Sequence, residues 1–143
     1  EKESALKKFR KIIEKWGIKM PKVEPYVLNF GLGDFYKIGL IEYWITNNEK
    51  EGYCGKFLFL FENQTCPEHY HPIKHETFFV VKGKVEMRVN GEKKILKEGD
   101  VLEMNRKTKH EFKAIDGPAL ILEVSTPCLS KDSVFSNKDI GII

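Results

Sequence analysis

The chain of 143 residues, 41% hydrophobic and 31% charged, suffices for one compact domain and is too short for two of ordinary size. Its 24 basic residues are scattered among 21 acidic ones, which leaves a net charge of +3 and no basic stripe for nucleic acid. No apolar run approaches the roughly 18 residues of a membrane helix, and Cys54, Cys66 and Cys128 lack disulfide-framework or zinc-site spacing, which points to a reducing cytoplasm.

The opening Glu-Lys-Glu shows no signal-peptide pattern. From Ser4, which can cap, the apolar residues Leu6, Phe9, Ile12, Ile13 and Trp16 recur at three- and four-residue steps up to Gly17, predicting an amphipathic helix over about 4–16. Pro21 and Pro25 then break the chain into an extended linker, with Gly31 and Gly33 serving a turn. Beyond it come short, often alternating apolar runs, predicting strands over 38–45, 56–61, 77–82, 84–89, 93–96, 101–104, 111–115 and 120–125. Gly83 is expected to turn one hairpin, and Asn90-Gly91, whose residue types suit a type I′ turn, the next. Trp44, Phe57, Phe59, Phe61, Phe78 and Phe79 fall at strand spacing and are expected in the core. The pattern predicts an all-β sandwich or small barrel over about 26–126, followed by a tail over 127–143.

Chemistry concentrates in the segment 66–78. In a strand, side chains two apart share a face, so His69 and His71 can both point inward and chelate. Glu76 follows across a short turn, and the one histidine outside this segment, His110, starts a predicted strand. Three imidazoles and a carboxylate suit a six-coordinate divalent ion with two adjacent positions open to substrate. Mn²⁺ is the first expectation, with Fe²⁺, Co²⁺, Ni²⁺ or Zn²⁺ as alternatives. His75 competes with Glu76 as a ligand, although alternation turns it to the opposite face. Two charged residues in apolar runs have two readings each. Lys56, preceding 57–61, either snorkels to water or faces a cavity with Leu58 and Leu60. Glu123, interrupting 119–124, lies either on an outer face or inside, where a carboxylate needs a partner or a metal.

These residues resemble the cupin superfamily. Its first motif, G-x5-H-x-H-x3,4-E-x6-G, is matched by His69, His71, Glu76 and Gly83, with Asn63 in place of the leading Gly. Its second, G-x5-P-x-G-x2-H-x3-N, is matched by Gly99 and His110, with Asn105, Lys107 and Ala114 at the Pro, Gly and Asn positions. The strings Asn29-Phe-Gly-Leu-Gly33, Tyr53-Cys-Gly-Lys56, Gln64-Thr-Cys-Pro-Glu-His69, Glu76-Thr-Phe78 and Glu123-Val-Ser-Thr126, and the ending Asp132-Ser-Val-Phe135 to Ile140-Gly141, are similar to the D-lyxose isomerase family of cupins. The resemblance implies a single-domain jelly-roll β-barrel with an N-terminal helix, a metal in its mouth and no organic cofactor. It further implies aldose–ketose isomerisation by enediol proton transfer, D-lyxose to D-xylulose and also D-mannose to D-fructose, with Lys56 and Glu123 as acid–base residues. A homodimer with a small sugar as its ligand, and with neither membrane nor nucleic acid as partner, follows from the same likeness. The alternatives are another sugar or sugar-phosphate isomerase, a metal-dependent sugar-binding or sensor module that does not need Glu123, and an iron dioxygenase.

Overall fold

The computed structural model describes residues 1–141, so the last two residues of the expected 127–143 tail lie outside the described residues. Helix α1 (Lys2–Trp16) precedes β1 (Tyr26–Leu28), β2 (Leu40–Asn48), β3 (Tyr53–Leu60), β4 (Thr65–Tyr70), β5 (Glu76–Val89), β6 (Glu92–Leu96), β7 (Val101–Met104), β8 (His110–Ser125) and β9 (Val134–Phe135). The strands form one nine-stranded sheet, curled into an all-β barrel in which every strand pairing is antiparallel. Among the described residues no helix is long and apolar enough to cross a membrane.

Helix α1 starts before Ser4. Glu1 occupies the cap position, and Ser4 instead lies inside the first turn and donates its hydroxyl to the Glu1 carbonyl at 3.0 Å. Gly17 closes the helix with φ 69°, a left-handed conformation that glycine adopts without steric cost.

Two predicted strand pairs are each a single long strand. Gly83 does not turn a hairpin: β5 runs through it, and its register against β8 slips between residues 80 and 84. Close packing is the reason. A Cβ at Gly83 would lie 2.3 Å from the Pro118 carbonyl oxygen, at φ +85°, so glycine permits an irregularity where β5 passes tightly against β8. β8 likewise continues through Asp116 and Gly117, both with positive φ, where the sequence pattern suggested a break. Asn90 (φ 52°) and Gly91 (φ 81°) form the expected tight turn, which brings Val89 opposite Glu92. β1 and β9, of 3 and 2 residues, are too short for periodicity to reveal; they exist through pairing with β2 and β4.

Alternation sorts the two faces of the curled sheet. Leu40, Leu58, Leu60, Phe78, Phe112 and Ile121 pack together inside the barrel. Ile41, Tyr43, Phe59 and Leu120 point outward and are covered by Ala5, Leu6, Phe9 and Ile13 of α1. Phe9 stacks on Tyr43 with ring centroids 5.3 Å apart and meets Phe59 edge-on at 4.8 Å. Phe59, Phe61 and Phe78 are buried as expected, and Phe57 half-buried. Phe79 is 38% exposed, because it shares an outward face with its register partner Val101, outside the cluster covered by α1. Trp44 is half-buried against the barrel cavity instead of the core.

Gly83→Ala is expected to cost about 2–4 kcal/mol, since it adds a backbone clash to a strained φ. Gly99→Ala, at φ +91° with nothing within 4 Å of the new Cβ, should cost only about 1 kcal/mol. Thermal unfolding of the two variants measures the difference.

Candidate active site

A cavity of about 580 Å³ opens inside the barrel, with Leu40, Leu58, Phe78 and Phe112 as its apolar wall and a cluster of ionisable groups opposite. His69 on β4 and His110 on β8 are register partners, His71 follows β4, and Glu76 begins β5. Each imidazole hydrogen-bonds through Nδ1 to a backbone carbonyl: His69 to Pro67 at 2.8 Å, His71 to Asp132 at 3.0 Å and His110 to Thr108 at 2.9 Å. With Nδ1 engaged at a carbonyl, Nε2 is the ring nitrogen of each histidine left to face the other groups. One ring nitrogen from each of the three lies within 4.8 Å of the others.

Glu76 Oε2 sits 3.4 Å from His71 Nε2 and 3.0 Å from His110 Nε2. Both Glu76 Oε2 and His110 Nε2 are nevertheless buried without a hydrogen-bond partner. Buried polar atoms without a partner are unfavourable, and a cation held among them would satisfy both, so the donor set suits a divalent first-row ion. Burial, then the neighbouring His110 and His71, push His69 well below its usual value; burial and nearby Lys74 push His71 down to about 4. Both rings are therefore neutral at pH 7. Burial opposes ionisation of Glu76, but His110, Lys74 and His71 outweigh it and hold the carboxyl well below the usual range. His75 points away from this cluster, with Nε2 2.8 Å from Glu103 Oε2.

Lys56 and Glu123 are register partners on β3 and β8, with both side chains inward. Lys56 does not snorkel. It is 7% exposed, reaches Glu42 Oε2 at 3.2 Å and lies over the Trp44 ring at 4.3 Å. Burial disfavours its charge, but Glu123 and Glu42 more than offset this and raise its pKa well above the lysine norm. Glu123 takes the interior alternative, with Oε2 accepting from Lys74 Nζ at 3.0 Å and Ser125 Oγ at 3.1 Å.

Three residues of the site carried no flag in the sequence analysis. Lys74 is 5% exposed and bridges Glu76 Oε1, at 3.1 Å, to Glu123. Its signal was parity, since residues 74 and 76 share a face in an extended chain. Glu42 interrupts the apolar run 38–45 as Glu123 interrupts its own. Asp132 had no local signal. Its carboxylate accepts the Ile73 and Lys74 amides at 2.8 and 2.9 Å, fixing the turn between His71 and Glu76 from the far end of the chain.

Residues 58–125 match the cupin domain family. The chain is 32% identical over 141 residues to a D-lyxose ketol-isomerase of Thermofilum sp. (strain ex4484_79), across 80% of this chain and 77% of that relative. A D-lyxose/D-mannose isomerase of Thermosediminibacter oceani is 47% identical over 73 residues, which are 47% of this chain and 39% of the relative. The crystal structure of the Acinetobacter sp. DL28 L-ribose isomerase in complex with L-ribose has the same fold, with a TM-score of 0.80 at 14% identity over 96% of this chain and 91% of that one.

Purified protein is expected to carry about one divalent ion per chain, measured by elemental analysis. His71→Ala and His110→Ala should each weaken retention at least roughly tenfold. Glu76→Ala should weaken it more than His75→Ala, and the reverse order would exchange the two assignments.

Proposed function

The chain belongs to the D-lyxose isomerase family of cupins and is an aldose–ketose isomerase, and from that premise we propose that it converts D-lyxose to D-xylulose, and also D-mannose to D-fructose, with a divalent ion, Mn²⁺ first, held by His69, His71, Glu76 and His110. The observation that carries this reading is the meeting, within one buried cluster, of a His/Glu donor set and the inward register partners Lys56 and Glu123, joined to it through Lys74. A binding module would need only the donor set. A second buried carboxylate, held by Ser125 and by the Lys74 it shares with Glu76, supports proton transfer.

A bound ion would supply Lewis acidity toward the sugar carbonyl and the adjacent hydroxyl. The other roles fall to the chain's own residues. Lys74 and Ser125 both occupy Oε2 of Glu123, which fixes the carboxylate and leaves Oε1 to take the proton from the carbon beside the carbonyl and return it to the neighbouring carbon. Lys56, fixed by Glu42 and the Trp44 ring, donates to the substrate oxygen as negative charge develops. Leu58, Phe78 and Phe112 exclude bulk water from the enediol. A homodimer belongs to the same proposal: Phe79, Val101 and Val124 share an outward face of β5, β7 and β8 and are 38%, 64% and 50% exposed, an apolar surface that a second copy covers.

Metal-loaded protein incubated with a panel of aldoses should form ketose fastest from D-lyxose. Glu123→Gln keeps the shape of the base but cannot accept a proton, so kcat should fall by roughly a hundredfold or more with metal content unchanged. Lys56→Met should lower kcat while the fold survives. Glu123→Gln turning over as fast as the parent chain would make Glu123 structural. Light scattering at micromolar concentration should give twice the chain mass, and Val101→Glu should give the chain mass alone.

A further inference from the structure

Cys54 on β3 and Cys128 after β8 are 74 residues apart in sequence, yet their sulfurs lie 3.5 Å from each other. One residue connects the two. Asn47 of β2 is the register partner of Cys54, and its amide clamps Cys128, donating to the Cys128 carbonyl and accepting from the Cys128 N–H, each at 2.9 Å. The third cysteine, Cys66, is buried apart from them in the barrel core. Cys128 lies in the segment that runs from β8 along the cavity to β9, and that segment carries Asp132, which holds His71 and the 73–74 turn.

The surroundings favour thiolate chemistry. Lys74 Nζ is 3.6 Å from Cys128 Sγ, and the hydrogen bond from Cys128, acting against burial, brings the Cys54 thiol down to about 7, while that same bond and burial push the Cys128 thiol up. The two sulfurs and Glu123 are also close enough to surround a metal ion. A lysine cation beside them opposes a further cation but favours a thiolate.

We propose that Cys54 and Cys128 form a reversible disulfide that staples the segment 127–133 to β3 beside the cavity. Cys128, the partly exposed partner, passes its proton to the Cys54 sulfur to which it donates, attacks one sulfur of a small disulfide RSSR as the thiolate so formed and expels RS⁻, which takes up the proton from Cys54. The Cys54 thiolate then attacks the Cys128 sulfur, forms the new S–S bond and expels the second RS⁻. Two electrons pass to the reagent and the two thiol protons to the leaving groups, so that RSSR becomes two RSH.

The test uses the full chain with a chelator present, treated with oxidised glutathione and then with dithiothreitol. The intact mass should fall by about 2 Da, and a non-reducing peptide map should join Cys54 to Cys128 while Cys66 stays unmodified until the chain unfolds. The midpoint of thermal unfolding should rise by about 5–15 °C on oxidation and return on reduction, because the link closes a long loop of the unfolded chain. Cys54→Ser and Cys128→Ser should show neither the link nor the rise. A link through Cys66 or to a second chain, persistence of both free thiols, or an oxidised chain no more stable than the reduced one would each overturn the proposal.

Discussion

Strand β8 hydrogen-bonds along both edges, to β3 and β4 on one side and to β5 on the other, and the geometry of the cavity depends on that double pairing. His110 stands at its start and Glu123 near its end. In a straight strand the step between them would span about 43 Å. Here a short chain of contacts connects them: His110 to Glu76 at 3.0 Å, Glu76 to Lys74 at 3.1 Å and Lys74 to Glu123 at 3.0 Å. The interruption at Asp116 and Gly117, and the matching one at Gly83 in β5, let two long strands curl together until their ends converge.

The cluster that results is costly to bury. Lys56, Lys74, Glu76 and Glu123 all have little exposure, and replacing buried ion pairs by apolar side chains often stabilises a protein. Glu76 Oε2 and His110 Nε2, buried without a hydrogen-bond partner, add to that cost. The fold offsets this elsewhere, through the apolar interior around Leu58, Phe78 and Phe112 and through the α1 face that seals Ile41, Phe59 and Leu120. What the charges provide is fixed orientation, since each polar group of the proposed machinery is held by at least one other before any substrate arrives.

The far end of the chain completes this arrangement. β9 pairs with β4 beside His69, and Asp132 just before it supplies acceptors to His71 and to the turn that leads into Glu76. Removal of that carboxylate would leave two amide donors, those of Ile73 and Lys74, without their acceptor. The same terminal segment meets β2 and β3 at Asn47 and Cys54, so it is tied to the barrel on both sides of the cavity.

Local chemistry made part of this legible in sequence. The helix showed through its apolar spacing, the Asn90-Gly91 turn through residue types that tolerate positive φ, and the meeting of His69 and His71 through H-x-H, because an extended chain places alternate side chains on one face without help from the rest of the fold. Lys56 and Glu123 stood out as charges in apolar strands, but their inward orientation depended on register against each other, which one strand alone does not specify. Gly83 reads as a turn locally and becomes a strand irregularity only where Pro118 approaches. Lys74, Asp132 and the Cys54–Cys128 pair owe their roles to groups dozens of residues away, and contacts between such distant segments are set by closure of the barrel and not by any local preference of the chain.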